Sequence, residues 1–226
     1  MRRNIRKIWG LILITLLLTC MTMTCQAASK KQKALKAYQN FLTNNKSYYT
    51  VYPGQWSSRN RESWQKCWWF LVTKMNNDSI PELVTFHPTG YKQGEVFILT
   101  YKNGRVSRVK LVKNDAKTEK PYSTYGIFGS TYTSASFWQG LRGYGCKKNH
   151  FHLFLMNGAG NTEQIYSLKN GKARIVAEHE FAMGKDRYWL NRKRVSASKY
   201  KKYVKNCRET ISFVDNSAKN RKRYVK

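Results

Sequence analysis

The chain has 226 residues, with 42 Lys and Arg against 12 Asp and Glu, for a formal net charge of +30. At 41% hydrophobic and 14% aromatic it can bury a core, which excludes a disordered polyelectrolyte. The excess cations therefore sit on the surface of a folded body, where their field attracts polyanions and repels other cations.

Residues 1–27 read as a secretory signal peptide. Arg2, Arg3, Arg6 and Lys7 form a charged start, and Ile8 to Leu18 an apolar run too short for a comfortable membrane span. Cys25-Gln26-Ala27 offers small residues at the cleavage positions; a lipoprotein cut before Cys20 is the alternative. Cleavage removes four cations and no anions and leaves +26. No second apolar run predicts an integral membrane span. The mature body keeps Cys67, Cys146 and Cys207. With no C-x-x-C spacing, the reading is one disulfide plus a spare thiol, or three buried thiols.

Ser29 to Asn44 has helical periodicity, with Leu35, Tyr38, Phe41 and Leu42 on one face. Lys30, Lys31, Lys33 and Lys36 crowd its first turns, against the helix dipole's preference for acids there. Asn45 to Gln65 reads as an aromatic-rich loop. Cys67 to Thr73 is a strand with Trp68, Phe70 and Val72 on one face and Trp69 and Leu71 on the other, so both faces should be covered. Asn76 to Ser79 is turn chemistry, Pro81 holds Ile80 extended, and Leu83 to Phe86 restarts a strand.

Lys74 to Leu83, K-M-N-N-D-S-I-P-E-L, resembles the D-x-N-x-D-G-x-P-E-L element of secreted and lipid-anchored Gram-positive proteins. That element is similar to the calcium loops of FG-GAP and VCBS-type propeller repeats. Asn76, Asp78 and Glu82 match; Lys74 replaces the leading Asp, and Ser79 the Gly. Calcium requires six to eight oxygens, several of them charged. The substituted lysine therefore predicts an ion-free turn, with the Lys74 ammonium in the place of the ion, paired with Asp78 or Glu82.

Hairpins follow. Val96–Tyr101, Asn103-Gly104 and Arg105–Val112 form one; Glu163–Ser167, Asn170-Gly171 and Lys172–Val176 repeat it 67 residues later. A shorter one turns at Asn191-Arg192. Short strands are expected at Tyr125–Phe128 and near Phe137–Tyr144. Ser196 opens a last helix, anchored by Tyr200 and Tyr203, and residues 211–226 form a basic C-terminal tail, of which Asn216 to Lys226 reads as mobile. The fold class expected is α+β: a predominantly antiparallel, hairpin-rich sheet system, incomplete-propeller-like or two-sheet, flanked by an N-terminal and a C-terminal helix. Residues 28–210 form its single domain.

No nucleophile elbow, H-E-x-x-H or motif-supported cysteine–histidine pair is present, and no cofactor is expected. The strongest functional signal is local charge. From Arg192 onward there are 13 cations against Glu209 and Asp215. Lys199, Lys201, Lys202, Lys205, Arg208, Arg221, Lys222 and Arg223 are read as the surface by which a secreted, monomeric, non-enzymatic domain holds an anionic envelope polymer or other polyanion. Nucleic acid is the lesser alternative ligand. A second functional reading is a metal-dependent hydrolase in which His150, His152, Glu178 and Glu180 meet if their strands are neighbours. A third is an extracellular protein-interaction module.

Overall fold

The computed structural model describes residues 29–44, 69–90, 93–114, 121–124, 126–130, 141–146, 149–157, 160–205, 207 and 209–226. Residues 1–28, read as carrying the signal, residues 45–65, expected as a loop, and Cys67, Trp68 and Arg208 lie outside the described residues.

Among the described residues fifteen strands form two open, mainly antiparallel sheets. The first sheet runs β15 (Val214–Asp215), β1 (Trp69–Thr73), β2 (Glu82–Gly90), β3 (Gln93–Lys102), β4 (Arg105–Arg108), with β7 (Gly126–Ser130) also on β3. The second runs β13 (Lys193–Val195), β12 (Lys185–Leu190), β11 (Lys172–Ala182), β10 (Gly160–Lys169), β9 (His150–Asn157), β8 (Leu141–Cys146), β14 (Glu209–Ser212). A parallel strand, β5 (Lys110–Asn114), joins it at β11 and carries β6 (Pro121–Thr124). Neither sheet closes on itself among the described residues, so the arrangement is two-sheet.

The side chains stack these sheets face to face. Leu71, Phe86, Val96 and Ile98 of the first meet Phe151, Leu153 and Tyr166 of the second in one buried cluster. The other face of the first sheet presents Phe70, Leu83, Phe97 and Leu99 to helix α1, residues 29–44, through Leu35, Tyr38 and Leu42. The other face of the second sheet presents Ile165, Ala177 and Leu190 to Tyr200 of helix α2 (Ala197–Val204). The molecule is thus four layers: helix, sheet, sheet, helix. The alternation read at β1 is realised: Leu71 enters the inter-sheet core and Phe70 the α1 core, both fully buried.

Two departures from the sequence reading have local causes. The strand expected from Arg105 to Val112 breaks at Val109, whose N–H donates to Ile98 O at 2.8 Å. The chain there leaves the first sheet and enters the second, and Val109 and Leu111 are buried between them. Residues 216–226, read as mobile, are instead folded against the body. Phe213 packs against the inter-sheet core, β15 pairs with β1, and helix α3 (Ala218–Tyr224) follows, capped by Ser217. Val225 beyond it is fully buried on the α1 side, and its carbonyl accepts from Gln39 Nε2 at 2.6 Å. Two apolar residues in a basic run, Tyr224 and Val225, give this segment its place. Of the two expected cysteine arrangements the one with a disulfide is found: Cys146 and Cys207 are bonded, which ties β8 to the chain after α2.

Candidate functional site

The helices carry cations without acids, while the strands and turns carry both signs. Helices α1, α2 and α3 hold eleven Lys and Arg and no Asp or Glu; every carboxylate among the described residues lies in a strand, a turn or a loop. Lys199, Lys201, Lys202 and Lys205 are all exposed along α2, while Tyr200 between them is buried. Lys222 and Arg223 are exposed on α3. These residues do not make one surface. α2 covers the outer face of the second sheet and α3 the outer face of the first, where it lies along the C-terminal half of α1: Asn216 Nδ2 donates to Leu42 O at 3.1 Å at one end, and Gln39 reaches Val225 at the other. Lys30, Lys31, Lys33 and Lys36 of α1 are exposed in that layer. Arg221 is half-buried and serves the fold: its Nη1 donates to Asn216 O (2.7 Å) and Oδ1 (3.1 Å), holding the entry to α3.

α2 is held against the sheet by a polar row. Register places Glu163 of β10 opposite His179 of β11, and His179 opposite Tyr188 of β12. His152 Nε2 lies 2.9 Å from Glu163 Oε1, and His179 Nδ1 lies 3.7 Å from Glu163 Oε2. Tyr200 Oη donates to the same Oε2 at 3.1 Å. His179 Nε2 meets Asp186 Oδ1 at 2.6 Å, and its ring stacks on Tyr188 at 4.6 Å. Contact with His152 holds the Glu163 carboxyl below the usual range against the opposing effect of burial, with Tyr200 and His179 adding to it. Burial and the Glu163 charge push the Tyr200 hydroxyl up, so it stays protonated and remains a donor. The row positions α2, and with it the four exposed lysines.

The His150, His152, Glu178 and Glu180 set is not assembled. β9 and β11 are separated by β10, and the two carboxylates lie on the opposite face from His152. Glu178 Oε1 accepts from Gln164 Nε2 at 3.0 Å, and Glu180 Oε2 lies 3.4 Å from Arg187 Nη1. No group of three or more His, Cys, Asp or Glu among the described residues is placed to hold a metal ion.

The acidic turn's hydrogen bonds are built around Asn76; Lys74 is exposed, and its charge is the last and smallest of the influences on Glu82, whose carboxyl it lowers. Asn76 Nδ2 donates to Asp78 Oδ2 (2.8 Å) and Glu82 Oε1 (3.3 Å), while Asp78 N–H donates to Asn76 Oδ1 (3.0 Å). A short amide does this because it bridges two carboxylates without leaving the turn; a lysine stem carries its charge into solvent. Glu82 is fully buried and accepts from Met75 N–H at 2.8 Å. Burial raises its carboxyl to about 8, the Met75 bond opposing and Asp78 adding to the rise. The turn joins three layers: Tyr38 Oη of α1 donates to Pro81 O, Leu168 N–H of β10 to Met75 O, and Asn149 Nδ2 to Asn77 Oδ1.

Sequence reasoning missed Glu163, Asp186 and the role of His179. Counting outward from the Asn170-Gly171 turn sets Glu163 opposite Glu178; a bulge between Ile165 and Tyr166 shifts the register and brings His179 there instead. Comparison with protein-family models, with curated proteins and with solved structures finds no match to this chain.

Proposed function

We propose that this protein is an exported, non-enzymatic domain that holds an anionic chain polymer of the cell envelope by electrostatic attachment. The observation that carries this reading is the one-sided charge of the helices: three helices with eleven cations and no carboxylate form outer layers of a body whose described acids all lie in sheets and turns. Solubility alone asks for far less than a mature charge of +26, and asks for both signs interspersed. The helices also forgo acids in their first turns, where the dipole would reward them. The disulfide between Cys146 and Cys207 belongs to an oxidising compartment, in keeping with the leader. So does the likeness of residues 74–83 to the turns of secreted Gram-positive proteins. No helix among the described residues is long and apolar enough to cross a membrane.

The test is retention on immobilised long-chain polyphosphate. Each released counterion steepens the fall of affinity with salt, so a site making about four to six phosphate contacts loses roughly fifty- to three-hundredfold between about 50 and 200 mM salt. Retention that is weak at low ionic strength, or unchanged at high, ends this reading.

A further inference from the structure

The two cationic layers face away from each other, and this geometry has a consequence for what the protein does to its ligand. Between the lysines of α2 and those of α1 and α3 lie both sheets and their cores. With sheets about 10 Å apart and helices about 10 Å across, the charged faces are separated by roughly 30 Å. The Debye length at physiological salt is about 8 Å, so neither face feels the other's field and each acts as a separate site. One stretch of extended polymer on α2 leaves α1 and α3 free.

Each face is also held rigidly. α2 is fixed by the Tyr200–Glu163 bond and by the disulfide just beyond it. The opposite layer is fixed by Val225 in the α1 core and by the bonds from Gln39 and Asn216. Exposed Lys199, Lys201, Lys202 and Lys205 stand on one side; exposed Lys33, Lys36, Lys219, Lys222 and Arg223 stand on the other. Rigid opposed faces cannot fold onto a single strand.

We infer that the protein is a bivalent cross-linker: each face takes a separate strand of a phosphodiester-type polymer, so that one molecule ties two chains together. This rests on the proposed attachment to polyanions and adds the geometry of the complex. A linear chain fits the inference better than a lipid surface, because a single flat bilayer can engage only one of two opposed faces.

The experiment uses purified protein and long-chain polyphosphate, read by light scattering, beside binding to short polyphosphate too small to be shared. Wild type clusters the long chains, with scattering maximal at an intermediate ratio and falling when protein saturates every strand. Lys199→Glu, Lys201→Glu, Lys202→Glu and Lys205→Glu together abolish clustering yet retain binding to the short chain through the other face. Reversing Lys30, Lys31, Lys33 and Lys36 does the same from the opposite side. Each loses about tenfold or more in apparent affinity for the long chain as avidity disappears. A charge-matched control, with Lys102, Lys169, Lys172 and Lys185 reversed on the hairpins, still clusters. Absence of binding to either chain overturns the attachment itself. Binding without clustering by wild type, or loss of clustering in the hairpin control equal to that in the face variants, overturns bivalency alone. Clustering of phosphatidylglycerol vesicles without clustering of polyphosphate overturns the choice of a chain polymer.

Discussion

Glu82 in the first half of the sandwich and Glu163 in the second are both drawn out of water, and their acidities move in opposite directions. Glu82 is fully buried, and its hydrogen-bond partners are neutral: the Met75 N–H and the Asn76 amide. Desolvation wins and its carboxyl rises to about 8. Glu163 is about a quarter exposed, faces two imidazoles and a tyrosine hydroxyl, and is held low. The contrast shows how a chain so poor in acids uses them. One carboxylate serves as a hydrogen-bond hub inside a turn, and the other as an anchor for a cationic helix.

The largest way to disturb this contrast is covalent. The Glu163 half is closed by Cys146–Cys207, which spans 61 residues, whereas the described part of the Glu82 half has only non-covalent ties. Closing a loop of that length restrains the unfolded chain by about 4 kcal/mol. Reduction, or Cys207→Ser, should lower the urea midpoint accordingly. Equal midpoints for oxidised and reduced protein would show that the restraint contributes nothing.

Next comes the Glu82 proton. Its folded acidity lies near 8 against an ordinary 4.5, so the folded protein keeps a proton that the unfolded chain releases across that window. Stability from this group is therefore full below 4.5, falls as pH rises, and is lost once pH passes about 8. The decline amounts to a few kcal/mol. Glu82→Gln, which retains an acceptor for the Met75 N–H, should flatten it: destabilised by about 1 kcal/mol at pH 5, yet level with or above wild type at pH 8. Urea midpoints at the two pH values decide the matter, and parallel pH profiles for variant and wild type would remove Glu82 as the cause.

Much of the first half is visible in the order of its residues. The two-faced strand at β1, the Asn103-Gly104 turn and the helix face of Leu35, Tyr38 and Leu42 follow from local periodicity and turn chemistry, because each is decided by neighbours in the chain. The polar row is not visible in this way. Whether Glu178 or His179 faces Glu163 depends on one bulge, and a shift of one residue exchanges the faces of everything beyond it. The sheet exchange at Val109 is hidden for a similar reason, since an uninterrupted run of strand-forming residues carries no mark of which sheet each half joins. The basic C-terminal segment is dominated in composition by its cations, and Val225 alone among its last residues is fully buried. The charge of the two outer layers can be counted from the sequence; their opposition depends on long-range packing.

The smallest expected effect distinguishes the anchor from the hub most directly. Glu163 carries a lowered acidity, so its contribution is present above the ordinary 4.5 and fades as pH falls through the lower folded value, the reverse of Glu82. Glu163→Gln keeps the shape and an acceptor but removes the charge that both histidines face. It should cost about 1–2 kcal/mol near pH 6 and progressively less as pH falls through the lowered folded value, where the wild-type carboxyl is itself neutralised. Because Tyr200 donates to this carboxylate, the damage should concentrate in α2: amide protons of Tyr203 and Val204 should exchange faster while those of β2 and β3 do not change. Tyr200→Phe, which deletes only the donor, should reproduce the exchange pattern without the acid dependence. If instead the whole sandwich loosens evenly, Glu163 is a general support of the core, and the lysines of α2 owe their placement to packing and the disulfide alone.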